Sequence, residues 1–502
     1  MLGRDQRNRR ASTIVMSSNC GEPPEKEGPD NANRHVPFLA LGPDIKQGEA
    51  VDTRGDLSDI ASTVAEILGL EMPFSEGRIL SEMLITPAPE SEASLPPRLL
   101  EGEIMISDTP AASLYPSVAM DSSMIHVVWS ERDAGSLDER RFILSRRSSD
   151  GGVSWSRPDT VLSDFAYHRV GAPSGVGGAY GVFDGTGGYA YGGSVGLVTG
   201  GTPVSANVCI TGDGREVIAV NGYSILSFTN RTELLWGVNL LSREGEGDWT
   251  ECGFDNLGHI VATAPVIAVG DSGSWATWTD GSGWLSVARP RDGVDTSERD
   301  LQFPDLRANG YYYRTASLAS SGGSLYLVSD LITNTIGKVI FMRIRESDLL
   351  VESTAVLDLA NAPSLDPRVA AQGDDVYAVW SDLKSGMWQI EFTRSTDRGT
   401  SFLEAEVLSS STAGAWNPDI AAAGDTLLVT WADYRDGNGE VYAVLSTDAG
   451  ATWGPETRIT FDDSFSAHPR AACGDSGWIV VWQDYRNGNW EIFARDLTGQ
   501  IQ

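Results

Sequence analysis

Cysteine is scarce in this chain: Cys20, Cys209, Cys252 and Cys473 are the four among 502 residues. Their sparse, irregular placement excludes a disulfide framework and a zinc-binding pattern. Cys209 and Cys252 fall within reach of one structural unit, where two buried thiols are a simpler expectation than a bridge. Positive charge is also short, with 37 Lys and Arg against 69 Asp and Glu. The resulting net charge of −32 repels polyphosphate and argues against a nucleic-acid partner. It is compatible with calcium, a cationic partner or a salty environment. No apolar run is long enough to span a membrane. The opening MLGRDQRNRRASTIVMSS lacks the apolar core of a signal peptide. Glycine (55) and tryptophan (15) are plentiful instead, which suits short strands, tight turns and aromatic packing.

The abundant residues recur with a period. PRVAAQGDDVYAVW, PDIAAAGDTLLVTW and PRAACGDSGWIVVW begin at Pro367, Pro418 and Pro469, each 51 residues after the last. Copies at the same spacing begin at Pro265 and Ala316, an earlier one at Pro116 and a weaker one at Ala206. Each unit reads as four strands: one rich in alanine, one almost wholly apolar, one alternating after a turn such as RDGNG, and a short fourth. Such units imply a mainly β protein, a β-propeller with one four-stranded sheet per blade. The seven starts favour seven blades, with eight or six still open. The glycine-rich stretch GAPSGVGGAYGVFDGTGGYAYGGSVGLVTGG reads as an insertion or a degenerate eighth blade. The last unit holds only three strands, and a spare strand near residues 103–107 has the right spacing to complete it: Ile106 and Ile459 both lie ten residues before a proline. That pairing would protect an otherwise open sheet edge.

Between the third and fourth strands an octapeptide recurs: SSDGGVSW with Ser148, Asp150, Gly152 and Trp155; STDRGTSF with Ser395, Asp397, Gly399 and Phe402; STDAGATW with Ser446, Asp448, Gly450 and Trp453. It resembles the Asp-box, or bacterial neuraminidase repeat, of sialidases and many other propellers. The expected role is structural, because the aspartate can accept backbone N–H groups of its own turn, glycine tolerates positive φ, and the aromatic fills a gap. An active site is normally built once, so repetition counts against catalysis.

Ligands of propellers usually bind at the channel mouth, which draws attention to the residue after each unit's start: Ser117, Asn207, Val266, Ser317, Arg368, Asp419 and Arg470. Arg368, Asp419 and Arg470, with His468 beside the last, are the candidate ligand-binding residues. Two guanidinium groups around a carboxylate could hold an anionic sugar or a peptide carboxylate. A structural ion pair between neighbouring blades is the simpler account of the same trio. An acidic residue also recurs after the second-strand aromatic, at Glu131, Asp280, Asp382, Asp433 and Asp484. A ring of these would admit calcium, whereas turn capping explains them more simply. The sialidase family's Phe-Arg-Ile-Pro motif is missing, with EGEIMISDTP in its place, and no Tyr/Glu pair stands out.

Residues 1–85 have a different texture, with an expected small α/β segment. STIVMSSNCGE and HVPFLALG read as strands, and DLSDIASTVAEILGL has Ile60, Val64, Ile67 and Leu68 at helical spacing before Gly69. The stretch resembles the C-terminal end of the alkaline-phosphatase superfamily, closest to phosphopentomutases. There a strand ending in Ser/Ala-Asp-His-Gly leads to Asp-His-Thr-Arg-Glu, then Val-Pro and a helix. The resemblance puts Asn19 and Cys20 where that family has a metal-binding Asp-His pair, and Asn31 where it has a further metal histidine. A two-metal site needs the carboxylate and imidazoles, so the expectation is an inactive remnant with no metal. Pro87, Pro89, Pro96 and Pro97 mark residues 86–101 as an extended linker to a propeller over 102–502.

The combined expectation is a non-catalytic recognition or scaffold propeller, monomeric, with a glycan or protein ligand at the channel mouth. The alternative is a sialidase-like glycoside hydrolase acting on anionic glycans. The propeller resemblance implies an extracytoplasmic or secreted setting. Metal analysis of the purified protein should find no stoichiometric zinc or manganese; two tightly held ions would overturn the remnant reading.

Overall fold

The computed structural model describes residues 13–16, 38–41, 102–122, 124–132, 141–163, 188–191, 194–227, 232–258, 265–279, 284–289, 301–303, 311–333, 336–358, 362–474 and 477–498. The chain divides into two compact units, residues 1–98 with 228–232 and residues 99–227 with 233–502. In the first, strands Thr13–Met16 and Phe38–Leu41 pair antiparallel, with Ile14 opposite Ala40. Asn19, Cys20, Asn31, the helix expected over 56–69, the linker 86–101 and Asp280 lie outside the described residues.

The second unit is a ring of seven antiparallel sheets, each contacting the next through its inner strand. Those inner strands are Ala112–Met120, the second half of Ser194–Ile210, Val266–Gly270, Tyr311–Ser321, Ser364–Gln372, Ala415–Ala423 and Ser466–Gly474, for blades one to seven. Blade six shows the plan: Ala415–Ala423, Thr426–Asp433, Glu440–Ser446 and Thr457–Arg458 lie side by side in that order. Its second strand is continuously apolar because both its faces are covered. Leu427, Val429 and Trp431 pack with Tyr377 and Val379 of blade five, while Leu428 packs with Val480 and Trp482 of blade seven. Blade two differs from its neighbours. Its sheet has five strands, and the glycine-rich insertion contributes Gly188–Tyr191 and the first half of Ser194–Ile210 to it rather than making an eighth sheet. Cys209 and Cys252 belong to this blade and are buried, with no disulfide between them.

The octapeptide turns are alike in blades one, five and six. In blade six the Ser446 hydroxyl donates to Asp448 Oδ1 at 2.8 Å and accepts from the Gly450 N–H at 2.9 Å. Asp448 Oδ1 then accepts the Thr452 N–H at 2.8 Å. The same bonds join Ser148, Asp150, Gly152 and Ser154, and Ser395, Asp397, Gly399 and Ser401. Hydrogen bonds, first from the hydroxyls of Ser154, Ser401 and Thr452, hold all three carboxyls at about 2. Gly450 has φ +77°, and an added Cβ would meet the Phe392 ring at 2.6 Å. The aromatic at the end of each turn leans on the previous blade: Trp453 on Phe392 at 4.9 Å between ring centres, Phe402 on Phe341 at 4.8 Å. The turn therefore packs one blade against the next.

Blade seven is completed from the other end of the propeller. Glu103–Met105 pairs antiparallel with Glu491–Asp496. The seam copies blade six at most of its contacts. The Ile106 N–H donates to the Ile492 carbonyl at 2.7 Å, as Ile459 does to Val441. Glu103 takes Arg486 at 2.5 Å, as Glu456 takes Arg435 at 2.6 Å. Ser107 donates to Glu491, as Thr460 does to Glu440. One partner is not copied: Glu440 is paired with Arg458 at 2.7 Å, and the position matching Arg458 is Met105. Glu491 is left among Ser107, the Thr109 N–H, Asn489 and the nearby carboxylates Glu131 and Asp108. Burial, reinforced by those two carboxylates, pushes its carboxyl up from 4.5 to about 7.

Two outcomes follow for stability. Gly450→Ala forces a left-handed side chain into the Phe392 ring and should cost about 2–4 kcal/mol in denaturant unfolding; a loss under 0.5 kcal/mol would refute the packing account. For Glu491 the raised carboxyl favours the protonated folded state. Its stabilising contribution is complete below about pH 4.5 and lost as pH rises through about 7. Glu491→Gln should therefore melt higher than the parent at pH 8, with the difference shrinking towards pH 5.

Candidate functional site

A cavity of about 500 Å³ lies where the inner strands of all seven blades converge. A repeated backbone device shapes its wall. Tyr115, Asp366, Asn417 and His468 each precede the unit's proline and adopt left-handed φ of 50–54°. Such a conformation is costly for a residue with a side chain, more so before proline, and needs surrounding structure to hold it. Each coincides with a register shift against the second strand, between Leu114 and Ser117, Leu365 and Arg368, Trp416 and Asp419, and Ala467 and Arg470. The shift resets the alternation of the strand, so the residue after the proline is aimed sideways at the next blade and the cavity.

At four blade junctions that residue is an acceptor for the next inner strand. Ser117 Oγ accepts the Val208 N–H at 3.3 Å, and Asn207 Oδ1 accepts the Ile267 N–H at 2.9 Å. Ser317 Oγ accepts the Val369 N–H at 3.3 Å, and Asp419 Oδ2 accepts the Ala471 N–H at 2.8 Å. At the remaining junctions the position holds Val266, Arg368 or Arg470, none of which can accept.

All four candidate residues, Arg368, Asp419, His468 and Arg470, line the cavity together with Ser117, Asn207, Val266 and Ser317. Asp419 is engaged by the Ala471 N–H, and its other oxygen lies 3.7 Å from Arg368 Nε. Among the described residues Arg470 makes no ion pair; its hydrogen bond goes to the Pro469 carbonyl at 2.7 Å. Burial, together with the Arg368 guanidinium, brings Arg470 down to about 10. Burial and the same two arginines hold His468 at about 3, so it is neutral. The wall thus carries two cations against a single carboxylate. Tyr115 also lines the cavity, its ring edge-on to His468 at 5.6 Å. Sequence reasoning passed it over. The signal was its place before Pro116, matching His468 before Pro469.

The recurrent acidic residues point elsewhere, into the hairpins. Asp433 and Asp484 accept the indole N–H of Trp431 and Trp482 at 2.9 and 3.0 Å and cap the N–H of Arg435 and Arg486 at 3.0 Å each. Asp382 caps Lys384 at 2.7 Å, and Glu131 accepts the Trp129 indole at 2.8 Å. Among the described residues no group of three His, Cys, Asp or Glu gathers as a metal site, and no helix is long and apolar enough to cross a membrane.

No family model matches the chain. A short N-terminal stretch is similar to phosphopentomutases: 37% identity over 75 residues with that of Herpetosiphon aurantiacus, 15% of this chain and 19% of that protein. With the enzyme of Clostridium beijerinckii it is 32% over 60 residues, 12% and 15%. The chain spans less than a fifth of the length of these curated relatives. Among solved structures it is similar to the NanB sialidase of Streptococcus pneumoniae (12% identity, TM-score 0.42, 83% of this chain and 73% of that one). It is also similar to an ulvan lyase, a polysaccharide lyase (12%, TM-score 0.49, 79% and 96%), and to Trypanosoma rangeli sialidase (11%, TM-score 0.41, 77% and 55%). The described residues of the second unit form a seven-bladed β-propeller, and a short N-terminal stretch of the chain is similar to part of the phosphopentomutases. No side-chain role passes from these proteins to this one.

Proposed function

We propose that the chain is a non-catalytic recognition propeller whose central cavity binds the anionic group of a ligand, an acidic glycan in the first instance. One observation carries this: Arg470 lines the cavity, partly buried and, among the described residues, in no ion pair, at a position where other blades place an acceptor that joins them to their neighbour. An unpaired cation in a desolvated site costs free energy that a ligand carboxylate or sulfate recovers, and a guanidinium can grip either through paired hydrogen bonds. Arg368 adds a second grip, and neutral His468 supplies hydrogen bonding without further charge. The net charge of −32 opposes any approaching anion at long range. Selection then rests on contacts inside the cavity, within a Debye length of about 8 Å.

Recognition is favoured over glycoside hydrolysis by the same inventory. Hydrolysis of the sialidase kind needs a Tyr/Glu pair and a further carboxylate free to act as acid. Asp419 is the single carboxylate lining the cavity among the described residues, and it is committed to Ala471. The N-terminal stretch fits this reading as a remnant, with Asn19, Cys20 and Asn31 at the metal positions of the family it resembles.

Arg470→Met separates the two roles an arginine can have. It should weaken binding of N-acetylneuraminate or glucuronate by about 10-fold or more in calorimetric titration. The ligand-free protein should gain about 1 kcal/mol of stability, because a partly buried charge without an ion pair is gone. Loss of stability with unchanged binding would show the residue to be architectural. Arginine-dependent turnover of a fluorogenic sialoside would replace this reading with the hydrolase.

A further inference from the structure

The structural residues of this propeller repeat from blade to blade, so a departure from the repeat beside the cavity is informative. Such a departure occurs at the junction of blades five and six. Two residues before the unit's proline, where blades one, five and seven carry Leu114, Leu365 and Ala467, blade six carries Trp416. Opposite it, in the hairpin of blade five, stands Trp388, whose counterpart one blade on is Gly439. The two indoles pack with centres 4.3 Å apart at 37°. Both remain half-buried, next to exposed Met387. The other tryptophan at the Trp388 position, Trp490, is instead 6% exposed and packed with Leu114 and Phe465. Structure is also set aside to hold the pair. Gly414, at φ +113°, leaves room for Trp416, since a Cβ there would sit 3.1 Å from the indole nitrogen. The Trp388 carbonyl also accepts the Ala415 N–H at 2.9 Å, a bond that the repeat makes again between Gly439 and Ser466 and between Trp490 and Ser113, so the hairpin that bears Trp388 is held to the strand that bears Trp416 by the common frame of the blades.

Chain position brings the pair near the cavity. Trp416 is three residues from Asp419 on the same strand, a span of at most about 10 Å. Tyr115 and His468, the counterparts of its neighbour Asn417, already line the wall. A cationic pocket with a half-buried aromatic pair nearby suits a ligand that joins an anionic group to a flat-faced apolar one. In a glycan, the C–H face of a pyranose ring is that partner.

We infer that Trp388 and Trp416 form a second subsite, on which a sugar ring linked to the acidic residue in the cavity stacks, so that the ligand is an acidic oligosaccharide rather than a lone acidic sugar or a peptide carboxylate. The inference rests on the anion reading of the cavity. Calorimetric titration should compare N-acetylneuraminate with sialyllactose, and glucuronate with a hyaluronan tetrasaccharide ending in glucuronate. The expected result is at least a tenfold gain from monosaccharide to oligosaccharide for the acid that the cavity binds. Trp416→Leu, which installs the residue blade five uses, and Trp388→Ala should remove most of that gain and leave the monosaccharide affinity unchanged. In the unmodified protein, saturation of indole protons should transfer to the second sugar, a readout that does not depend on either variant folding. Monosaccharide binding without the oligosaccharide gain, or a gain that survives both substitutions, would overturn the second subsite alone. Binding of neither acid would overturn the anion reading and the subsite with it.

Discussion

A ring of sheets stands or falls on its last junction. Six of the seven blades draw all their strands from consecutive chain, but the seventh has an outer edge of unpaired N–H and C=O groups until Glu103–Met105 covers it. The closing segment brings more than backbone pairing. It delivers Glu103 to Arg486, Ser107 to Glu491 and Ile106 to the core between blades seven and one, each in the place its blade-six counterpart occupies. The missing copy of Arg458 shows that the substitution is incomplete. It leaves an uncompensated carboxyl at the one junction that joins distant parts of the sequence.

Within the ring, the positions after each unit's start are divided by chemistry. The residue after the unit's start can lend an oxygen to the next blade, and four junctions are joined in this way. Where an arginine takes that place, the oxygen is lost and a cation faces the cavity. Asp419 sits between two such arginines and still performs the joining role. The trio Arg368, Asp419 and Arg470 is therefore neither a plain ion-pair chain nor a uniform ligand clamp. Its carboxylate belongs to the scaffold and its guanidinium groups to the space the scaffold encloses.

The repeat made the fold legible, because a 51-residue period with alternating and continuous apolar runs constrains each strand's neighbours and faces. The positions of Ile106 and Ile459 relative to their prolines disclosed the seam without coordinates. Blade two was obscured by glycine, whose lack of a side chain erases the periodicity that marks a strand; residues 188–191 and 194–201 are in its sheet nonetheless. The cavity was legible in part. Spacing singled out the residue after each proline, but not the left-handed residue before it, because a positive φ at Tyr115, Asp366, Asn417 and His468 leaves no mark in composition. Likewise, nothing in a lone tryptophan distinguishes the buried Trp490 from the accessible Trp388; only the packing of Leu114 and Phe465 around the former does.

The seam also sets an order of events during synthesis. Of the strands in the propeller, the one at Glu103–Met105 leaves the ribosome first, yet its partner, Glu491–Asp496, leaves last. Six sheets can hydrogen-bond as they emerge, while the ring stays an open arc with a sticky rim at each end. Loss of Glu491–Asp496 would thus orphan the earliest propeller strand as well as the latest, and leave sheet edges open to edge-to-edge association.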